Sequence, residues 1–209
     1  DTFERAVHAA SLVKVDYQAE TPFTDYETNK TNSSRLKDRG EYTRKEKDAW
    51  KNAEVNLEAE YTLPIETHNP MEMHATIAIW EGGKLTVYDK SQGPKNVQGE
   101  LARLFAIDEK NVKVITEFVG GAFGSGLRSW PHVHAAVIAS KKLNRPVKVT
   151  LNREQMFTMV GYRPQSWQKI SIGATKEGKL TGITHHAISN TSRYEDFREG
   201  IVNAAQFLY

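Results

Sequence analysis

The sequence contains no cysteine. That excludes disulfides, thiolate metal ligands, a cysteine nucleophile and any iron–sulfur cluster held by these residues, while leaving the compartment open. Long apolar runs are missing as well. No stretch approaches the roughly 20 residues that a membrane-spanning helix needs, and Asp1-Thr2-Phe3-Glu4 does not resemble a signal peptide. A dominant charge is also absent: 28 Lys and Arg against 26 Asp and Glu give a net +2 over 209 residues, with the two signs interspersed. Neither a nucleic-acid partner nor a membrane surface is indicated. The chain opens without methionine and closes on Gly200 to Tyr209, which reads as the middle of a helix, so we expect an excerpt of something longer.

What is present is a mixture of strand and helix periods. Phe3, Ala6, Val7 and Ala10 recur at helical spacing over residues 3–11, and Leu12 to Tyr17 alternates as a strand would. From Thr24 to Lys51 polar and charged residues dominate, the composition of a linker, with a short helix expected over Thr43–Trp50. Val55, Leu57, Ala59, Tyr61 and Leu63 then alternate strictly, predicting a half-buried strand. Further strands are expected at Met73–Trp80, Leu85–Asp89, Val112–Glu117 and Val147–Leu151, with helices at Pro94–Phe105 and Pro131–Leu143. Val97, Leu101, Leu104 and Phe105 share one face of the first of these helices. A long hairpin, Gln165–Thr175 with Leu180–Asn190, and a helix from about Glu195 complete an α+β reading with mixed sheets and packed helices.

The densest chemistry lies in Val119-Gly120-Gly121-Ala122-Phe123-Gly124-Ser125-Gly126. Glycine permits positive φ and close backbone approach, so this loop can aim N–H groups at an anion, helped by the dipole of the helix that follows. Its spacing is G-x-x-G-x-G, which is neither the dinucleotide G-x-G-x-x-G nor a P-loop, since Leu127 and Arg128 follow Gly126. A ligand cradle and a plain strand-to-helix connection both remain open. Gln92, in Ser91-Gln92-Gly93-Pro94, sits where a strand ends and a helix begins, a common ligand position in α/β proteins. It could equally cap that helix or face solvent.

Other candidates are weaker. His132 and His134 are two apart on a helix, and His185 and His186 adjoin on a strand, so neither pair converges on a metal. His68 and His74 bracket Pro70-Met71-Glu72-Met73 and could orient a loop or contact a partner, with core packing expected for both methionines. Glu72 and Glu117 are the fair candidates for acid–base work, and neither has a setting that supports it. Gly124-Ser125-Gly126 matches too little of G-x-S-x-G to suggest a nucleophile.

Thr67-His68-Asn69-Pro70-Met71-Glu72-Met73-His74-Ala75, Ser91-Gln92-Gly93-Pro94 and Val119-Gly120-Gly121-Ala122-Phe123-Gly124 together resemble, in order and spacing, the molybdenum-binding large subunit of the xanthine dehydrogenase/aldehyde oxidase family. The resemblance continues through Leu151-Asn152-Arg153-Glu154 and Gly161-Tyr162-Arg163-Pro164, and is nearest in style to bacterial subunits acting on aldehydes or N-heterocycles. It implies three segments: residues 1–23 as the end of a hammerhead-like domain, 24–52 as a charged linker, and 53–209 as the N-terminal part of the molybdopterin-binding domain. It also implies a molybdenum–molybdopterin cofactor, in the cytosine dinucleotide form, and partner subunits or domains carrying iron–sulfur clusters and FAD. Gln92 would hydrogen-bond an oxo group on molybdenum, and Gly121, Ala122, Phe123 and Gly124 would contact the pterin. No direct protein ligand to the metal is implied. Phe123 and Leu127 would line the substrate pocket, and Leu127 stands where purine-oxidising members carry a glutamate, which disfavours a purine. The family's general base falls beyond Tyr209, so the segment alone is expected to be inactive. A rival expectation is a scaffold or interaction module that keeps the fold without the cofactor.

Overall fold

The computed structural model describes residues 2–33, 42–192 and 200–201. Residues 1–35 and 36–209 form two compact units, described separately.

In the first unit, helix α1 (Phe3–Ser11) starts from Thr2, whose hydroxyl accepts the Arg5 N–H at 3.3 Å. This satisfies one of the donors a helix N-terminus leaves over. The strand expected at Leu12–Tyr17 does not form: the segment makes no ladder, and Leu12, Val13, Val15 and Tyr17 are exposed. Alternation alone supplies a face, but a strand also needs a neighbour for its backbone groups. A single-turn helix, α2 (Tyr26–Asn29), follows, capped by Asp25.

Among the described residues the second unit holds seven strands: β1 (Val55–Leu63), β2 (Ala75–Glu81), β3 (Lys84–Asp89), β4 (Val112–Ile115), β5 (Val147–Thr150), β6 (Ser166–Ala174) and β7 (Leu180–Ser189). Helices α3 (Pro94–Phe105) and α4 (Pro131–Leu143) fall at the expected bounds, and α5 (Gln155–Thr158) is one turn. Proline opens both α3 and α4, where its missing N–H costs nothing. Over Thr43–Trp50 the expected helix shrinks to a 3-10 turn at Ala49–Asn52, because Lys45 and Asp48 adopt positive φ, incompatible with a helical run. The helix expected from Glu195 lies almost wholly outside the described residues.

Strand order β4-β3-β2-β5 makes one sheet, antiparallel except for β3 with β4, which α3 connects. Its core is Ala78, Leu85, Val87, Val97, Leu101, Ala102, Val112, Val133, Ala136 and Val137. Full burial of each larger aliphatic among these contributes about 1.5–3 kcal/mol. On α3, Ala102 takes a core place and Leu104 is exposed, a shift from the expected face. Trp80 closes one end, donating its indole N–H to the Val137 carbonyl at 3.1 Å.

Strand order β1-β6-β7 makes the second, wholly antiparallel sheet. Here β1 is exposed along nearly its whole length, not half-buried. On the opposite face the backbone at Trp50 lies so close that a Cβ on Gly173 or Gly182 would come within 2.6 Å of it. Glycine is required at both positions for that approach.

Candidate functional site

Four segments that are distant in sequence meet at one place: residues 68–74, 90–93, 120–126 and 153–161. The strand end carries the first anchor. Beyond β3, Ser91 Oγ accepts the Gly93 N–H at 3.0 Å, turning the chain into α3 and presenting Gln92 outward. Gln92 Oε1 accepts two backbone N–H groups, from Gly124 at 3.0 Å and Gly126 at 3.1 Å, and the Gln92 N–H donates to the Gly126 carbonyl at 2.7 Å. Two N–H donors can be received only by the amide oxygen, which fixes the side-chain orientation. The Gln92 NH2 is thereby left as the outward donor. Gln92 does not cap α3, whose cap position is Gly93; it is exposed, as one expectation had it, with its amide oxygen tied to the loop.

The loop fulfils the glycine argument in its backbone, with φ of +90° at Gly121, +56° at Phe123 and +104° at Gly124. A positive φ at a phenylalanine costs about 1–3 kcal/mol, which the surrounding anchors must hold. The donors are distributed differently from the expected cradle. Gly124 and Gly126 spend their N–H groups on Gln92, and Gly120 donates to Glu72 Oε2. Among the described residues the N–H groups of Gly121, Ala122 and Phe123 have no partner. Nor does the following helix contribute directly, since α4 begins at Pro131, five residues after Gly126. Phe123 is 74% exposed and Leu127 is exposed, so both apolar side chains stand at the surface of the cradle.

Residues 68–74 form the opposite lip. His68 Nδ1 lies 3.1 Å from the Gly161 carbonyl, and its Nε2 would be 3.4 Å from a Cβ on Gly124. Arg153 donates to Asn69 Oδ1 and the Pro70 carbonyl, both at 2.8 Å, and to the Met71 carbonyl at 2.9 Å. Lys90, buried, donates to the Glu72 carbonyl at 2.6 Å; burial lowers its ammonium pKa. Met71 is 91% exposed and Met73 is exposed too, so neither packs in the core as expected. Glu117 faces solvent.

Beneath the loop lies a buried polar group. His74 Nε2 is 3.3 Å from Ser125 Oγ, and that hydroxyl gives its proton to the Ala122 carbonyl at 2.8 Å, so the histidine is the donor of the pair. Ser125 is therefore a buttress, not a nucleophile. Burial and the charge of Lys90 push the His74 pKa down to about 3. His132, with its ring centroid 5.4 Å from that of His74, is pushed down to about 4 by burial, and neither ring nitrogen has a hydrogen-bond partner. Its nearest charge is Asp89 Oδ1 at 4.0 Å; burial raises the Asp89 pKa. The other members of the two histidine pairs diverge, His134 to Glu100, His185 to Gln168 and His186 to the Trp167 ring. A depression of about 240 Å³ beside α3 and β4 is lined by Pro94, Gln98, Val112 and their neighbours, and by neither Gln92 nor the glycine loop.

Sequence reasoning gave Arg153 and Lys90 no role, and weighed Glu72 for acid–base work where the structure makes it an acceptor for the Gly120 N–H. Arg153 and Glu72 do lie within the recurring segments, but nothing in their spacing says that a cation will hold loop carbonyls.

A mixed-sheet fold carrying a glycine loop tied to Gln92 is thus the setting in which the sequence comparison is read. The model of the molybdopterin cofactor-binding domain matches residues 24–209, and the chain belongs to that family. Among curated proteins it is similar to the aldehyde oxidoreductase molybdenum-binding subunit PaoC of Escherichia coli O157:H7, 33% identical over 195 residues, covering 90% of this chain and 26% of that protein. It is also similar to an indole-3-acetaldehyde oxidase of Arabidopsis thaliana, 33% identical over 63% of this chain and 10% of that protein. Among solved structures, quinoline 2-oxidoreductase from Pseudomonas putida 86 superposes with a TM-score of 0.74 at 22% identity, over 90% of this chain and 25% of that one. A Cu,Mo-CO dehydrogenase gives 0.75 at 21% identity, over 88% and 26%. These two likenesses show the fold. The chain spans about a quarter of the length of PaoC. Among the described residues no helix is long and apolar enough to cross a membrane.

Proposed function

We propose that this chain supplies one wall of the molybdenum–pterin site in the large subunit of a molybdenum hydroxylase that oxidises an aldehyde or an N-heterocycle, with water as the oxygen source. The observation that carries this is the Gln92 amide: its oxygen is fixed by Gly124 and Gly126, which leaves its NH2 and the N–H groups of Gly121, Ala122 and Phe123 as unspent donors. Preorganised donors of this kind suit the oxygen and phosphate acceptors of a molybdopterin. A scaffold that had lost the cofactor would have no use for them.

When bound, the group supplies a two-electron redox centre. This chain's residues bind and orient. Gln92 donates through Nε2, the backbone from Gly121 to Phe123 donates beside it, and Gly124 serves by holding Gln92. Phe123 offers a flat apolar wall and Leu127 an apolar one, which fits an aldehyde or heterocycle better than a purine. The assignment extends to the cytosine dinucleotide form of the cofactor and to iron–sulfur and FAD-bearing partners that carry electrons away. It also takes residues 1–23 as the end of a hammerhead-like domain, 24–52 as a linker and 53–209 as the start of the cofactor domain.

The complete polypeptide, purified with its partners, is expected to contain molybdenum and to release a pterin on denaturation. Metal analysis and fluorescence of the released pterin check this. Protein free of both, with its partners intact, would support the scaffold reading instead.

A further inference from the structure

Glu72 and Gly120 are joined twice. The Glu72 N–H donates to the Gly120 carbonyl at 3.1 Å, and the Gly120 N–H donates to Glu72 Oε2. Their approach leaves no room for a side chain: a Cβ on Gly120 would lie 2.9 Å from Glu72 Cβ. Glu72 is itself held from behind, because the three successive carbonyls of Pro70, Met71 and Glu72 are received by Arg153 and Lys90. Cationic side chains thus replace the backbone partners that this irregular segment lacks.

The glycine loop is therefore suspended between two side-chain acceptors. Glu72 takes the N–H at one end, Gly120, and Gln92 takes those at the other, Gly124 and Gly126. The three unspent N–H groups lie between these anchors. Were either anchor released, the left-handed residues Gly121 and Phe123 would be free to relax, and the N–H groups between the anchors would no longer be held in place.

We propose that Glu72 is a positioning residue for the cofactor cradle, holding the glycine loop as a hydrogen-bond acceptor and not as an acid, a base or a ligand. This rests on the reading of the cradle as a molybdopterin wall. A glutamine at the position keeps the acceptor oxygen and loses the charge, whereas an aspartate keeps the charge and draws the acceptor back by one methylene. The acceptor role therefore predicts that Glu72→Gln behaves as the parent protein, and that Glu72→Asp and Glu72→Ala are both impaired.

The test uses the complete subunit with its partners and three readouts: amide exchange of the peptide spanning residues 118–127, molybdenum per subunit, and kcat and KM of the loaded fraction. Glu72→Ala should speed exchange of the Gly120 amide about fivefold or more, as loss of an ordinary hydrogen bond implies. Molybdenum content should fall with it, while Glu72→Gln keeps both within about twofold of the parent. Folded Glu72→Gln protein as impaired as Glu72→Ala would overturn the proposal, as would Glu72→Ala protein with unchanged exchange and molybdenum. Exchange is read without cofactor. Parent protein lacking molybdenum altogether would defeat the functional reading, and the exchange comparison would still decide the role of Glu72.

Discussion

The two sheets of the larger unit are built from equally regular strands and end in opposite states. In β4-β3-β2-β5 the inward residues Ala78, Leu85 and Val87 are fully buried under α3 and α4. In β1-β6-β7 the alternating Val55, Leu57, Tyr61 and Leu63 stay exposed, Leu57 at 65%. The difference teaches where the site draws its rigidity. Gln92 follows directly from β3 of the closed sheet, and Leu151, at the end of β5, donates its N–H to the His74 carbonyl at 2.9 Å. The open sheet meets the motif region through the Glu66–Arg163 bridge.

The largest expected effect breaks the closed sheet. Leu85→Ala should cost about 2–5 kcal/mol by cavity formation, measured by denaturant unfolding. A cost below about 1 kcal/mol would mean that this core is not the supporting element. Leu57→Ala, on the open sheet, should change stability by no more than about 0.5 kcal/mol in the same assay. A loss matching that of Leu85→Ala would show that face to be covered in the protein as purified.

The polar floor of the closed sheet gives a smaller, pH-dependent effect. His132 has an ordinary pKa of 6.5 and a folded value of about 4, so between these values the unfolded chain takes up a proton that the folded one refuses. Stability therefore falls as pH drops through that window, by about 1.4 kcal/mol per pH unit for one such group. Asp89 acts in the opposite sense, because its raised folded pKa makes acidification relieve a cost already present at neutral pH. His132→Leu should flatten the acid limb by about one proton, measured as the pH dependence of unfolding free energy. An unchanged slope would contradict the buried neutral state of His132.

Much of this fold was legible because its signals are local. Pro94 and Pro131 mark helix starts, and the spacing of Val97 and Leu101 marks a buried face. Leu12–Tyr17 and β1 show the limit: alternation states that a face exists and is silent on what pairs with it or covers it. At the site, the types were readable and the partnerships were not. Gly121 and Gly124 do take the positive φ that glycine suggested, yet the Gly124 donor goes to Gln92 instead of a ligand. Glu72, weighed as an acid or base, is an acceptor for Gly120. Such pairings join residues 32 and 48 positions apart, a distance over which periodicity carries no information.

The most direct test of the account is Gln92→Glu in the complete subunit. The carboxylate can still receive the Gly124 and Gly126 N–H groups, so the loop and its molybdenum content should be kept. The NH2 donor is gone, and turnover should drop by about a hundredfold, the order expected for losing one preorganised donor. Unchanged turnover at unchanged molybdenum content would contradict the role given to Gln92.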